Sequence, residues 1–172
     1  MKKNGLLLLF IVVQFAAGQT NVDIFDIARK GTAQQALEAA HKQPGIFDSV
    51  NQDKFTPLIL ACYRGNMAVA QVILENKANI DANSPMGTAL MAATVKGDVS
   101  MVELLLKYHP NLNLCDEQGL TALMYACMFK NKAIASLLLQ NGAKKDLLDK
   151  KGTSAFEYAT QTKQEEIIKL FK

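Results

Sequence analysis

Residues 119–143 read GLTALMYACMFKNKAIASLLLQNGA, and this stretch decides how the rest of the chain is parsed. It holds a Thr121-Ala122-Leu123 opening, a short helical pattern, a turn, a second helical pattern ending in Leu137-Leu138-Leu139, and an Asn141-Gly142 stop. The same text recurs upstream. Thr56-Pro57-Leu58 leads to Ala61-Cys62, Gly65, Val72-Ile73-Leu74 and Ala78-Asn79, and Thr88-Ala89-Leu90 leads to Ala92-Ala93, Gly97 and Leu104-Leu105-Leu106. Downstream, Ser154-Ala155-Phe156 leads to Tyr158-Ala159, Ile167-Ile168 and Leu170-Phe171. The steps from Thr56 to Thr88, Thr121 and Ser154 are 32, 33 and 33 residues. A unit of that length has one apolar face and no core of its own, so stacked neighbours must bury it.

A period near 33 with a T-P-L-H-x-A-like signature marks ankyrin repeats, and the sequence resembles that family. The resemblance implies an all-α repeat solenoid of about five helix-turn-helix units with hairpin loops, the two end units being divergent. The units span approximately residues 21–52, 53–83, 84–116, 117–149 and 150–172.

The second unit follows the pattern most closely. Thr56 suits a helix cap and Pro57 the first helical turn, where its missing N–H is not needed. Leu58, Leu60 and Ala61 then face inward, Gly65 permits the turn, and Val69, Val72 and Ile73 continue the stripe. The third unit is one residue short at its hairpin, Asn83 to Gly87, and Pro110 must end its second helix. Lys77 and His109 occupy the slot after the second helix where the family usually has Gly, and Lys130 occupies the slot between helices. The first unit places Ile24, Phe25, Ile27 and Ala28 on one apolar face and Ala36, Leu37, Ala39 and Ala40 on another, with Pro44-Gly45 in a lengthened exit loop. The His that the family usually carries after Thr-Pro-Leu is absent everywhere, with Ile59, Met91, Met124 and Glu157 in its place in units two to five. In the family this His helps tie neighbouring units, so some polar bonding between units is expected to be lost with it, and the three apolar substitutes to recover part of that loss by burial.

Residues 1–18 read separately. Met1-Lys2-Lys3-Asn4 is a basic start, Leu6 to Val13 an unbroken apolar run, and Phe15-Ala16-Ala17-Gly18 a small-residue end. This is the layout of a secretory signal peptide, with cleavage after Gly18 or, second, Ala17. An uncleaved anchor is the competing reading, and the apolar run is shorter than the about 20 residues a spanning helix needs. The compact basic start resembles a bacterial one. Export is the expectation, to the periplasm in a cell with two membranes and otherwise to the medium, leaving a repeat domain over 19–172 with no stable membrane insertion.

Loss of Lys2 and Lys3 takes the 19 basic residues to 17 against 16 acidic ones, a net charge of +1 instead of +3. Nucleic-acid binding needs a concentrated basic face, and Lys144-Lys145 and Lys150-Lys151 read better as solvated hairpin edges. No nucleic-acid partner is expected, and the chain reads as a monomer.

Cys62 and Cys127 fall in the same slot of non-adjacent units and should be buried as small hydrophobes. Cys115 falls at a variable hairpin position and is the one thiol expected at the surface, so no intramolecular disulfide is expected. His41 and His109 lie in different units, and no metal-ligand spacing or phosphate-binding glycine loop occurs. Asp53, Asp81, Asp116 and Asp149 recur near hairpins, as turn residues do. No catalytic residue, metal or cofactor is assigned; a thiol enzyme built on Cys115 lacks an identifiable base.

Surface is what remains. In the family, partners are held by hairpin tips and exposed first-helix positions along a concave face. Mapped onto this sequence, those slots hold Phe55, Tyr63 and Arg64 in unit two; Met86, Val95 and Lys96 in unit three; Gln118, Leu120, Met128 and Phe129 in unit four; and Lys151 with Thr153 in the last. Phe55, Tyr63, Val95, Leu120, Met128 and Phe129 are apolar or aromatic where the repeat does not bury side chains, and contiguous apolar surface marks interaction sites. The competing expectation is that the lengthened first unit folds over this stripe or that Phe129 tucks into the array. The resemblance implies a non-enzymatic module that binds another protein, as a scaffold, inhibitor or protector, or as a host-directed effector.

Overall fold

The four hydroxyl residues that open the repeats all start helices. In the computed structural model, which describes residues 23–172, the hydroxyls of Thr56, Thr88, Thr121 and Ser154 accept from the backbone N–H of Ile59, Met91, Met124 and Glu157 at 3.3, 3.4, 3.3 and 3.2 Å. Each bond satisfies an otherwise unpaired donor of a first turn. The helices are α1 (Ile24–Lys30), α2 (Ala33–Lys42), α3 (Pro57–Arg64), α4 (Met67–Glu75), α5 (Ala89–Lys96), α6 (Val99–Leu106), α7 (Ala122–Met128), α8 (Lys132–Gln140), α9 (Ala155–Gln161) and α10 (Glu165–Ile168). Short 3-10 turns occupy Ile46–Asp48 and Lys169–Phe171. The N-terminal targeting segment expected over residues 1–18 lies outside the described residues.

The helices stack as consecutive pairs in an all-α repeat solenoid. The first helices form one row, α1–α3–α5–α7–α9, and the second helices a row behind them. The front row packs more closely, and α4 and α6 are the most loosely joined neighbours behind it, so the array bends toward the front. Close approach in front has a sequence cause. Ala28, Ala61, Ala93, Ala126 and Ala159 recur at one helical slot, and all are 0 % exposed. A methyl group there lets backbones meet where a larger side chain would hold them apart. Behind this column Val69, Met101, Ile134 and Ile167 fill the space between front and back helices of successive units.

The slot of the missing histidine is buried in three units by Ile59, Met91 and Met124, at 4 %, 1 % and 1 % exposure. In the last described unit Glu157 stays outside and closes a capping box with Ser154, whose N–H donates to Oε2 at 2.6 Å. Polar ties between units do exist, and they run along the loops. The amide of Asn79 donates to Asp48 Oδ1 at 2.8 Å, that of Asn111 to Asp81 Oδ1 at 2.8 Å, and that of Lys144 to Asn113 Oδ1 at 2.9 Å. The amides of Glu117 and Lys150 donate to the carbonyls of Pro85 and Gln118, one hairpin back, at 3.2 and 3.0 Å. Asn66, the cap of α4, also donates to the carbonyl of Gly31 at 3.0 Å, closing the end of α1.

Three backbone positions in each full unit are left-handed: one in the hairpin, one between helices and one after the second helix. Glycine holds some of them, but Lys54, Lys77, His109, Lys130 and Lys163 sit at φ between 53° and 63°. Three of these, Lys77, His109 and Lys130, are where the resemblance led one to expect Gly. Gly119 has a second constraint: a Cβ there would lie 2.9 Å from the Lys150 nitrogen and 3.0 Å from Asp149 Cα of the next hairpin.

Two sequence expectations change. Leu37, assigned to an apolar face of the first unit, is 36 % exposed, while Phe47 of the 3-10 turn is buried at 4 % and supplies the apolar contact instead. Asp53 is not the turn-forming acid of its hairpin. Asn51 accepts from the amides of Asp53 and Phe55 at 3.0 and 2.9 Å, two positions earlier than expected.

Lys77→Gly is expected to raise stability by about 1 kcal/mol, because a left-handed non-glycine residue costs roughly 1–2 kcal/mol and glycine returns part of that gain through chain entropy. Urea denaturation should show a higher midpoint at unchanged slope. Ala93→Leu should lower stability by about 1–3 kcal/mol through overpacking of the front row, whereas the same change at the exposed Ala133 should be close to neutral.

Candidate partner-binding groove

The side chains that the stack does not use converge along the front row. Tyr63 and Val95 are penultimate residues of α3 and α5, and Arg64, Lys96 and Phe129 occupy the next position, the last of α3 and α5 and the cap of α7. Because the same slot recurs in each unit, these residues fall in line along the bend. Phe55 and Met86 enter from the hairpins before α3 and α5. Together they border a groove of about 440 Å³ whose floor includes Ile59, Leu60 and Ala92.

Six of the twelve residues mapped onto the binding slots line this one groove: Phe55, Tyr63, Arg64, Met86, Val95 and Phe129. Tyr63, Met86 and Phe129 are 45 %, 70 % and 53 % exposed, Phe55 and Val95 are half-buried. Phe129 therefore does not tuck into the array, and the lengthened exit of the first unit does not cover the groove: its Phe47 is buried in the core and is not among the lining residues. Lys96 stands beside the groove, its Nζ 5.7 Å from the Tyr63 ring centroid, while Arg64 Cζ lies 5.9 Å from the same centroid. Both are within cation–π range.

The remaining predicted residues lie elsewhere. Gln118 and Lys151 are exposed on later hairpins, Thr153 is half-buried beside Lys151, and Met128 is half-buried beyond the groove end. Leu120 corrects an expectation: it is 9 % exposed and belongs to the core. The reason is the turn that precedes it. Asp116 Oδ1 accepts from the amides of Gln118 and Leu120 at 2.8 and 2.9 Å, and the Asp116 amide donates back to the Leu120 carbonyl, which draws residue 120 under the hairpin.

Asp116 also shapes the groove. Its Oδ2 accepts from the Tyr125 hydroxyl at 2.5 Å, and the Tyr125 ring stacks on Phe129 with centroids 6.1 Å apart and planes 5° from parallel. The exposed Phe129 thus rests on an aromatic neighbour that is itself anchored. Burial, then the hydrogen bond to Asp116, pushes the Tyr125 phenol well above its ordinary value. An equivalent pair, Tyr158 to Asp149 at 2.6 Å, holds the next unit; that hydrogen bond is the main cause pushing Tyr158 up to about 12.

Sequence reading missed Tyr125 and Arg29, both of which line the groove. Tyr125 lies four residues before Phe129, so helical spacing puts the two on one face. Arg29 directly follows Ala28 and so falls in the Cys62 slot on the alanine register, but the first unit is one residue shorter there: Ala28 lies four residues before the cap of α2, where Ala61 lies five before that of α4. Its guanidinium is paired with Asp26 at 3.0 Å.

The thiols offer no chemistry near this groove. Cys62 and Cys127 are fully buried. Burial first, and the charge of Asp98 second, pushes the Cys62 thiol up, and burial pushes Cys127 up to about 12, the reverse of what a reactive cysteine needs. Cys115 is exposed beside a shallow pocket lined by hairpin residues, none of them histidine. Among the described residues no cluster of three His, Cys, Asp or Glu is placed to hold a metal ion, and no helix is long and apolar enough to cross a membrane.

A family model described as ankyrin repeats (3 copies) matches residues 15–114 and again 90–172. Mouse "Ankyrin repeat and SAM domain-containing protein 6" is 34 % identical over 102 residues, covering 58 % of this chain and 12 % of that protein. "26S proteasome non-ATPase regulatory subunit 10" of Dictyostelium discoideum is 31 % identical over 98 residues, covering 55 % of this chain and 42 % of that protein. The matches therefore span less than half the length of these curated relatives.

Asp116→Ala should cost about 2 kcal/mol, the scale of hydrogen bonds to a charged group. The tyrosine adds a pH signature. Its folded-state value is raised, so its stabilising contribution is complete below the ordinary phenol value of about 10 and is lost as the pH rises through the higher folded value. Urea midpoints of the native protein should fall at alkaline pH, and the Tyr125→Phe variant should show a shallower fall over the same range.

Proposed function

Because the chain belongs to the ankyrin-repeat family, we propose that it is a non-enzymatic protein-binding module that grips its partner along the groove of its front helix row. The single observation that carries this reading is the convergence of Phe55, Tyr63, Val95 and Phe129 on one groove. These side chains remain accessible after every unit has buried its own apolar face. Aromatic residues of this kind, exposed and backed by packed neighbours, are frequent binding anchors.

The stacking fixes the shape of the surface before a partner arrives. Tyr63, Val95 and Phe129 come from three successive units, so their spacing is set by the alanine column and the loop ties. A preformed surface loses little conformational freedom on binding. We further propose that the module works outside the cytoplasm, on the strength of the basic, apolar and small-residue order of residues 1–18. A scaffold, inhibitor or protector of an envelope protein is the role that fits this placement; a released, host-directed effector would use the same fold.

The test is an affinity pull-down from the envelope of the producing cell. Native protein should retain a partner that a folded Phe55→Ser, Tyr63→Ser, Phe129→Ser variant loses, with folding checked by circular dichroism. Equal recovery by both would move the binding surface elsewhere. Cell fractionation separates envelope residence from release, and a Cys115→Ser variant should bind as the native protein does.

A further inference from the structure

The groove is uneven in charge, and that unevenness specifies its occupant. Of its basic neighbours, Arg29 is already neutralised by Asp26 at 3.0 Å. The other ion pairs among the described residues are Lys132–Glu166 and Lys169–Glu166, on the last units. Among the described residues Arg64 and Lys96 have no carboxylate within ion-pair distance, and both are exposed. They stand 5.9 and 5.7 Å from the centre of the Tyr63 ring, which fixes two free cations next to an exposed aromatic wall. Asp53, at the hairpin side, is the one acid of the lining.

We propose that the groove takes an extended peptide segment of a partner protein that carries a carboxylate side chain next to a large apolar one. This inference rests on the protein-binding reading above and adds the chemistry of the partner. The apolar side chain lies against Tyr63, Val95 and Phe129, and the carboxylate meets Arg64 and Lys96. The volume, about 440 Å³, is that of a slot for a few side chains rather than of a flat interface. Arg64 has the planar fork that matches a carboxylate in two-point contact, and Lys96 supplies a second, mobile charge. Two cations are too few for a nucleic-acid backbone, whose binding requires a longer basic track.

The test is selection of random linear peptides displayed on phage against the whole chain, followed by titration of the selected peptides in fluorescence anisotropy. Enriched peptides should share an Asp or Glu close to a Phe, Tyr, Trp or Leu. The Arg64→Glu, Lys96→Glu double variant should weaken them by about tenfold or more, while Lys132→Glu, on the far units, leaves them unchanged. Replacing the peptide carboxylate by lysine should restore binding to the double variant and abolish it for the native protein, a swap that a purely structural role would not produce.

Peptides that depend on Phe129 but ignore the charge reversal would overturn the acidic partner and leave the protein-binding reading intact. The same holds if no peptide enriches while the envelope pull-down still yields a partner lost with the groove variant. Concentration-dependent dimers of the native chain, absent in Phe129→Ser, would assign the groove to a second copy and overturn the proposal. Failure of both selection and pull-down would remove the proposal and the protein-binding reading together.

Discussion

Everything in this molecule depends on how closely the front helices approach. Ala28, Ala61, Ala93, Ala126 and Ala159 form a column of methyl groups with no exposed surface. Their size sets the distance between successive front helices, and the larger apolar residues behind them set a wider distance between back helices. The difference between the two is the bend. From it follow the alignment of helix ends along the inside of the bend, the grouping of Tyr63, Val95 and Phe129, and the groove between them.

Polar bonding follows a different route from the one the family pattern suggests. With the usual histidine replaced by Ile59, Met91 and Met124, the interior of each first turn is apolar, and its hydroxyl cap is answered in only one of the three, where Met124 Sδ accepts weakly from the Thr121 N–H at 3.5 Å. The bonds between units are found at the loops, where Asp48, Asp81 and Asn113 accept amides from the following unit. An apolar interior and a polar rim divide the labour: burial supplies the driving force, and the rim fixes the register. A slipped stack would leave both the rim amides and the turn acids without partners, at a cost comparable to a lost hydrogen bond each.

The fold was legible because its signals repeat. Four hydroxyl caps at steps of 32, 33 and 33 residues, two apolar stripes per unit and turn residues after each helix all point to one answer, and each supports the others. The groove was legible to the extent that it uses the same slots: Tyr63, Val95 and Phe129 follow from register alone. Leu120 was misplaced because its direction is set by an Asx turn at Asp116, whose hydrogen bonds reach across four residues and leave no periodic trace. Tyr125 was passed over, although it lies one helical turn before Phe129 and its hydroxyl needed a partner, which it found in Asp116. Arg29 was hidden by divergence of the first unit, where no Thr-Pro-Leu anchors the count. The loop ties between units escaped because they join residues about 30 positions apart, and one sequence shows turn-forming Asp and Asn without showing which amide each will meet.

The span of the groove has a mechanical consequence. A stack held by nearest-neighbour contacts loosens one joint at a time, and the joint between α4 and α6 is the loosest in the back row. Tyr63, Val95 and Phe129 stand on either side of that joint and the next. Anything seated against all three bridges two joints at once, as a splint does, and ties the hinge on the outside of the bend by a brace on the inside. Occupancy would then be felt well away from the groove, as slower amide exchange in the loops behind it, and the chain would pass from a string of separately loosening units to one that opens as a block.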